Sequence, residues 1–174
     1  MRVLGVVGWS GSGKTTLVSG ILPLLRARGV SVSTVKHAHK GFDIDRPGKD
    51  SYRHREAGAH EVMVVSARRF ALMSELPCED FPLPRLLRRM APVDLVLVEG
   101  FKSYPFTKLE VYRPSLGKPP IWPAEPEVIA VATDEKLTEC NRTVLDLNAH
   151  ISVTEWVLAR FASFTELAAL LSGT

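Results

Sequence analysis

Residues 2–16 read Arg2-Val3-Leu4-Gly5-Val6-Val7-Gly8-Trp9-Ser10-Gly11-Ser12-Gly13-Lys14-Thr15-Thr16. Arg2–Val7 is a short apolar run ending in glycines, the mark of a buried strand. Gly8 to Thr15 fits G-x-x-x-x-G-K-[ST] at every fixed position. From Thr15 to Arg28 apolar residues fall at Leu17, Val18, Ile21, Leu24 and Leu25, a helical spacing, and Gly29 supplies the stop. Strand, glycine-rich turn and helix in this order build an anion cradle. Glycines admit backbone conformations that turn successive N–H groups inward, and the helix N-terminus carries about +0.5 charge. Lys14 adds a point charge for the β- and γ-phosphates of a nucleotide. Thr15 offers a hydroxyl to Mg²⁺, with Thr16 next to it in the first turn. Two residues argue against a Rossmann dehydrogenase: Thr16 stands where the third glycine would be, and Lys36 rather than an acid closes the second strand.

Outward from this stretch, Ser31–Val35 is β-branched and predicts a second strand, giving a βαβ unit. Ser51–Ala57 and Pro84–Met90 predict short helices, and Glu61–Val65 and Arg69–Met73 predict strands. Val93–Val98 and Val128–Thr133 are apolar without polar alternation, as in parallel strands covered on both faces. Lys108–Tyr112 alternates, and 114–126 carries five prolines, which excludes a sheet interior. Ser152 with Glu155, and Ser163 with Glu166, have the spacing of capping boxes at two late helices. The expected fold is α/β: a three-layer phosphate-loop NTPase fold with a mostly parallel central sheet flanked by helices, as a single nucleotide-binding domain over 1–174.

A magnesium nucleotide site adds a carboxylate at the end of a neighbouring apolar strand. Asp94 and Glu99 flank one such strand, about 17 Å apart if it is extended, so one of them reaches the metal. Ligands gather at the carboxyl ends of parallel strands, which assigns Glu99 to Mg²⁺ or its water shell and Asp94 to a structural role. Gly100 lets the backbone pass close to the γ-phosphate. The loop from Lys36 to Asp50 leaves the sheet at the same edge. Asp45 or Asp50 can serve the metal or an attacking water, and Lys36, Lys49 or Arg53 a phosphate; a solvated charged loop is the plainer alternative. His37 and His39 could bind zinc, but no third ligand accompanies them in a recognisable pattern. Asp134 ends a strand at the binding edge, where it could accept from guanine N1–H and N2–H. The usual N-K-x-D signature is absent, and an ordinary strand-end aspartate explains the residue equally well.

The 174 residues are 45% hydrophobic and 24% charged, an ordinary globular balance, with no internal repeat. Cys78 and Cys140 form no C-x-x-C or metal pair and read as reduced thiols. No stretch approaches a membrane span or a signal peptide, so the expectation is a soluble cytoplasmic protein with no membrane partner. A net charge of +3 is too small to argue for nucleic acid. Arg26 to Arg55 nevertheless holds eight Lys/Arg against three Asp, an excess a phosphate-rich small ligand would explain.

GWSGSGKTTL at 8–17, VKHAHKGFDIDRPGKDSYRHREAGA at 35–59, RFALM at 69–73, DLVLVEGFK at 94–102 and K-x-E-V-Y-R at 108–113 together resemble the molybdopterin-guanine dinucleotide biosynthesis protein B family. The resemblance implies GTP binding with Mg²⁺, weak GTP hydrolysis and a homodimer. It also implies help to the guanylyltransferase that joins GMP to molybdopterin, with that enzyme and molybdopterin itself as partners. By position it assigns nucleotide contacts to Gly11, Ser12, Gly13, Lys14, Thr15 and Thr16. It matches Glu99 to the family's strand-end acid and Asp45 to its loop acid, so that Lys14, Asp45 and Glu99 carry the chemistry and Thr15 and Glu99 hold the metal. A small-molecule kinase using the same loop, and a nucleotide-binding scaffold without chemistry, are the competing readings.

Overall fold

The structure, a computed structural model, describes residues 1–38, 41–76 and 81–172; Cys78, His39 and Lys40 lie outside these. It divides into two compact units, residues 1–37 with 87–174, and residues 38–86.

The larger unit begins with β1 (Arg2–Val7), α1 (Lys14–Ala27) and β2 (Val32–Lys36), each within a residue of its sequence expectation. α1 ends as Gly29 predicts. Gly29 takes φ 78°, its N–H donates to Arg26 O at 3.0 Å, and the Val30 N–H donates to Leu25 O at 3.2 Å. This doubly bonded glycine terminus satisfies carbonyls the helix leaves open.

The smaller unit holds α2 (Asp50–Glu56) and an antiparallel hairpin of β3 (Glu61–Val65) and β4 (Phe70–Ser74). The sequence predicts both strands, but they form a sheet of their own and take no part in the parallel sheet. Four residues, 66–69, connect them, and a parallel pair needs a crossover of about a dozen or more. Within the hairpin only Val62 is buried; Met63, Val65 and Phe70 are 58%, 67% and 67% exposed. A short helix, α3 (Leu83–Leu87), follows.

The chain then supplies β5 (Leu95–Glu99), β6 (Lys108–Tyr112), β7 (Val128–Thr133), β8 (Thr143–Asp146), α4 (His150–Arg160), the two-residue β9 (Thr165–Glu166) and α5 (Leu167–Ser172). The main sheet runs β2-β5-β1-β6-β7-β8, all parallel, with β9 antiparallel to the first residues of β1. β1 therefore pairs with β5 along one edge and shares the other between β6, at Gly5–Val7, and β9, at Arg2–Val3.

Leu17, Val18, Ile21 and Leu25 of α1 and Val153, Trp156 and Val157 of α4 form one core with Leu4, Val6, Leu97, Leu109 and Ala130 of the sheet. Burying each such aliphatic side chain stabilises the fold by about 1.5–3 kcal/mol. A second apolar cluster joins Val7, Val128 and Val131 to Trp122 of the proline-rich segment. That segment therefore covers part of the sheet, though it is no strand itself. β6 departs from its alternating pattern as well, because Lys108 and Glu110 are both buried.

Neither capping box forms. α4 starts at His150 with Ala149 as N-cap, so Ser152 already lies in its first turn. The Ser163 hydroxyl donates back to Arg160 O at 2.7 Å, and Glu166 pairs in the sheet with Arg2.

Candidate functional site

β1 and α1 meet at the glycine-rich turn because both pack into one core, which leaves Gly8–Gly13 to close a tight loop at the carboxyl edge of the sheet. Gly8, Gly11 and Gly13 all have positive φ. Gly8 is also a point of contact. A Cβ there would lie 2.3 Å from Val111 O and 2.8 Å from Ser12 Oγ, so the loop rests directly on β6. Gly13 is the N-cap of α1 and provides no side-chain cap, and the first turn contains no acid. The first helical bond runs from the Leu17 N–H to Gly13 O. The amides of Lys14, Thr15 and Thr16 are thus beyond the reach of intrahelical acceptors. Ser12 is buried and its Oγ has no partner. Open amides, an orphaned hydroxyl and a missing cap fit an anion supplied from outside.

The Lys14 ammonium donates to Gly8 O at 3.0 Å and Trp9 O at 2.9 Å, which folds it over the loop. Partial burial holds its pKa below the ordinary 10.5; Glu99 opposes that shift, while the Lys102 and Lys36 charges add to it. Thr15 Oγ1 donates to Glu99 at 3.0 Å from Oε1 and 3.2 Å from Oε2. Lys36 Nζ donates to Thr15 Oγ1 at 3.3 Å and lies 3.7 Å from Glu99 Oε1. Lys14, Thr15, Lys36 and Glu99 therefore converge, although they come from α1, β2 and β5. A hydroxyl beside a carboxylate is a hard oxygen donor set of the kind Mg²⁺ takes.

Asp94 sits at the other end of β5. Its Oδ2 accepts from the Ser31 N–H at 2.8 Å and from the Ser31 hydroxyl, while the Ser31 Oγ accepts from the Asp94 N–H at 2.9 Å. These bonds lower its pKa below 3.8, so the clasp contributes stability at neutral pH that is lost as pH falls through the lowered value. Asp45 belongs to the smaller unit. Its Oδ1 accepts from the Arg46 N–H and the Ser51 hydroxyl, both at 2.9 Å, and its buried Oδ2 is unpaired. His37 stacks on Phe101 with ring centroids 4.6 Å apart, and the backbone turns after β5 through positive φ at both Gly100 and Phe101.

Sequence reasoning missed three participants. Arg113, just after β6, donates through Nε to Ser12 O at 3.1 Å and through Nη1 to Asp134 Oδ2 at 2.7 Å. Trp9 donates its indole N–H to Pro119 O at 2.7 Å, with Lys102 Nζ 4.2 Å from its ring centroid. Buried Glu110 accepts from the Ile121 and Trp122 amides at 2.9 and 2.8 Å; desolvation outweighs these bonds and raises its pKa. Trp9 and Glu110 tie the proline-rich segment down beside the loop. The sequence signals were slight: an aromatic at a free position of the motif, and a carboxylate within an otherwise buried strand.

A parallel sheet with this loop after its first strand and an acid at the end of the adjacent strand defines a phosphate-loop NTPase fold. The family model for molybdopterin guanine dinucleotide synthesis protein B matches residues 3–134, and the chain belongs to that family. It is 41% identical over 160 residues to the molybdopterin-guanine dinucleotide biosynthesis adapter protein of Escherichia coli, covering 90% of this chain and 91% of the relative. Identity to the protein of that name from Haemophilus influenzae is 40% over 158 residues, with 89% and 86% covered. Among solved structures, a molybdopterin-guanine biosynthesis protein B superposes with a TM-score of 0.71 at 26% identity, over 90% of this chain and 98% of that one. Bacillus subtilis MobB gives 0.71 at 27%, over 92% and 98%. No helix among the described residues is long and apolar enough to cross a membrane.

Proposed function

We propose that this chain is a GTP-binding adapter, with weak GTPase activity, in molybdopterin guanine dinucleotide biosynthesis. It assists the guanylyltransferase that attaches GMP to molybdopterin. The observation that carries the nucleotide part is the Thr15–Glu99 pair, bonded at 3.0 Å beside the uncapped start of α1. The adapter part rests on the relatives' names.

In this reading the amides from Gly11 to Thr16 and the Lys14 ammonium bind the phosphates. Thr15 and Glu99 would hold Mg²⁺, which would supply neutralisation of the phosphate charge. The resemblance adds Asp45, the loop acid of the smaller unit, to the residues proposed for the chemistry. Turnover is slow, because the arginine against the loop, Arg113, is committed to Ser12 O and Asp134 on the β6 side of β1, whereas Glu99 lies on the β5 side.

Titration of purified protein with GTP and ATP, with and without Mg²⁺, tests the reading. Mg²⁺-dependent GTP binding with slow phosphate release is expected, and rapid transfer to an added acceptor would replace it with a kinase. Glu99→Gln should weaken Mg²⁺-dependent GTP affinity about 10- to 100-fold. Asp94→Asn should leave that affinity alone and lower stability instead; the opposite order would place the metal at the other edge of the sheet.

The chain acts in this reading as a homodimer. A lone two-stranded hairpin is marginal in water, and contiguous exposed apolar surface marks interaction sites. Val65 and Phe70, each 67% exposed, are cross-strand partners in β3 and β4. Changing both to Asp should shift the sedimenting species from dimer to monomer. A dimer of unaltered mass would remove the hairpin from the interface.

A further inference from the structure

Directly after Glu99 the backbone turns through two residues of positive φ, Gly100 at 99° and Phe101 at 50°. For a phenylalanine that conformation is strained, and strain of this kind gathers at binding and switch sites. Two contacts hold the turn. A Cβ on Gly100 would lie 2.8 Å from His37 Cβ, so the backbone rests against the residue just past β2. The His37 ring also stacks on Phe101 with centroids 4.6 Å apart. The turn decides where the next residue goes. Lys102 comes back over the glycine-rich loop, with Nζ 4.2 Å from the centroid of the Trp9 ring. The Trp9 carbonyl accepts from the Lys14 ammonium at 2.9 Å, so this one residue of the loop meets a cation at its ring and another at its backbone.

From this arrangement, and resting on the phosphate-loop reading above, we infer that Lys102, held beside the loop by the Trp9 indole, is a second phosphate-binding cation that contacts the terminal phosphate of a triphosphate and so distinguishes GTP from GDP. The local charge supports this. Lys36 and Lys102 both push the Lys14 pKa down, and Glu99 is the acid that opposes them. Among the described residues Lys102 makes no ion pair; what holds its ammonium is the indole. Buried Glu110 lies within reach of its charge, but both Glu110 oxygens already accept from the Ile121 and Trp122 amides. Three like charges around one carboxylate repel one another until an anion joins them, and phosphate is the anion that the open amides of α1 fit. An aromatic face attracts an ammonium without neutralising it, which leaves the full charge for a ligand. The loop amides of such a motif surround the inner phosphates, and its lysine reaches the β- and γ-phosphates. A cation from outside the loop, next to that lysine, therefore finds the outermost phosphate left to it.

Lys102→Met keeps an unbranched side chain and removes its charge. The affinities of GDP and of the β,γ-imido analogue of GTP should be measured with Mg²⁺ for the wild type, Lys102→Met and Lys118→Met. Lys118 is exposed, and its Nζ lies 5.9 Å from the same ring centroid, so it controls for the loss of any cation near Trp9. Lys102→Met is expected to lose about 10- to 100-fold in affinity for the analogue, the scale of a charge-assisted hydrogen bond, and to bind GDP as the wild type does. Lys118→Met should bind both as the wild type does. In a folded variant, a loss shared equally by GDP, no loss at all, or the same selective loss in Lys118→Met overturns the role of Lys102. Amine acylation of the wild type, read by mass spectrometry, tests the contact without a substitution. The analogue should suppress labelling of Lys102 and GDP should not; labelling that the two nucleotides affect alike overturns the inference. A wild type that binds neither nucleotide overturns the phosphate-loop reading beneath it.

Discussion

Lys14→Ala is expected to weaken GTP binding by about 10- to 100-fold while leaving the fold intact. The side chain ends in the only charge the motif itself contributes, and its ammonium already lies over the loop, bonded to the Gly8 and Trp9 carbonyls. Losing a charge-assisted contact in a partly desolvated site costs about 1.5–3 kcal/mol, and 1.4 kcal/mol is tenfold in affinity. In the free protein the same lysine brings little stability, because its two hydrogen bonds are offset by the burial that lowers its pKa. The thermal midpoint should therefore stay within about 3 °C of wild type. A second signature follows from proton linkage. Between the lowered folded-state pKa and 10.5 the unfolded chain binds more protons than the folded one, so wild-type stability gains on that of the variant as pH rises through this alkaline window. Isothermal titration with GTP is the measurement, and wild-type affinity in the variant would overturn the site.

Gly8→Ala is expected to be the most damaging methyl group that can be added near the site. Gly8 has φ 147°, a conformation L side chains rarely adopt, and the new Cβ would meet Val111 O at 2.3 Å. That oxygen is backbone of β6, a strand paired on both sides with β1 and β7, so it cannot move aside. Backbone strain of about 1–3 kcal/mol adds to overpacking of similar size, and the loop must lift off β6. A fall in thermal midpoint of about 6–12 °C together with loss of GTP binding is the expected result. Gly117→Ala is the matched control: φ is 62° and no neighbour lies within 4 Å of the new Cβ, so only the left-handed conformation is penalised, by about 1 kcal/mol. Equal effects of the two changes would show that φ, and not contact with β6, makes Gly8 necessary.

What could be read in advance was local. Arg2–Val7, the glycine-rich turn and the helix after it announce themselves through apolar period and the needs of a tight turn, and Gly29 marks the helix end through backbone freedom. Glu99 was separable from Asp94 because ligands collect where parallel strands end, and the structure puts Glu99 against Thr15 and Asp94 against Ser31. The capping boxes were equally local signals and failed, because at Glu166 pairing with β1 competes with capping and wins. β8 and β9 went unseen: one is mostly exposed and the other is two residues long, so neither carries an apolar pattern.

The residue types of the cradle and its spacing are properties of the sequence alone, because each follows from chemistry within a few residues, whereas the place of Glu99 against Thr15 depends on the pairing of β5 with β1. Only the tertiary structure decided which strands flank β1. It also brought Arg113 to Asp134 and set Trp9 and Glu110 against the proline-rich segment. These contacts join residues from 11 to 110 positions apart, and what creates them is the packing of the sheet, on which no spacing in the chain bears.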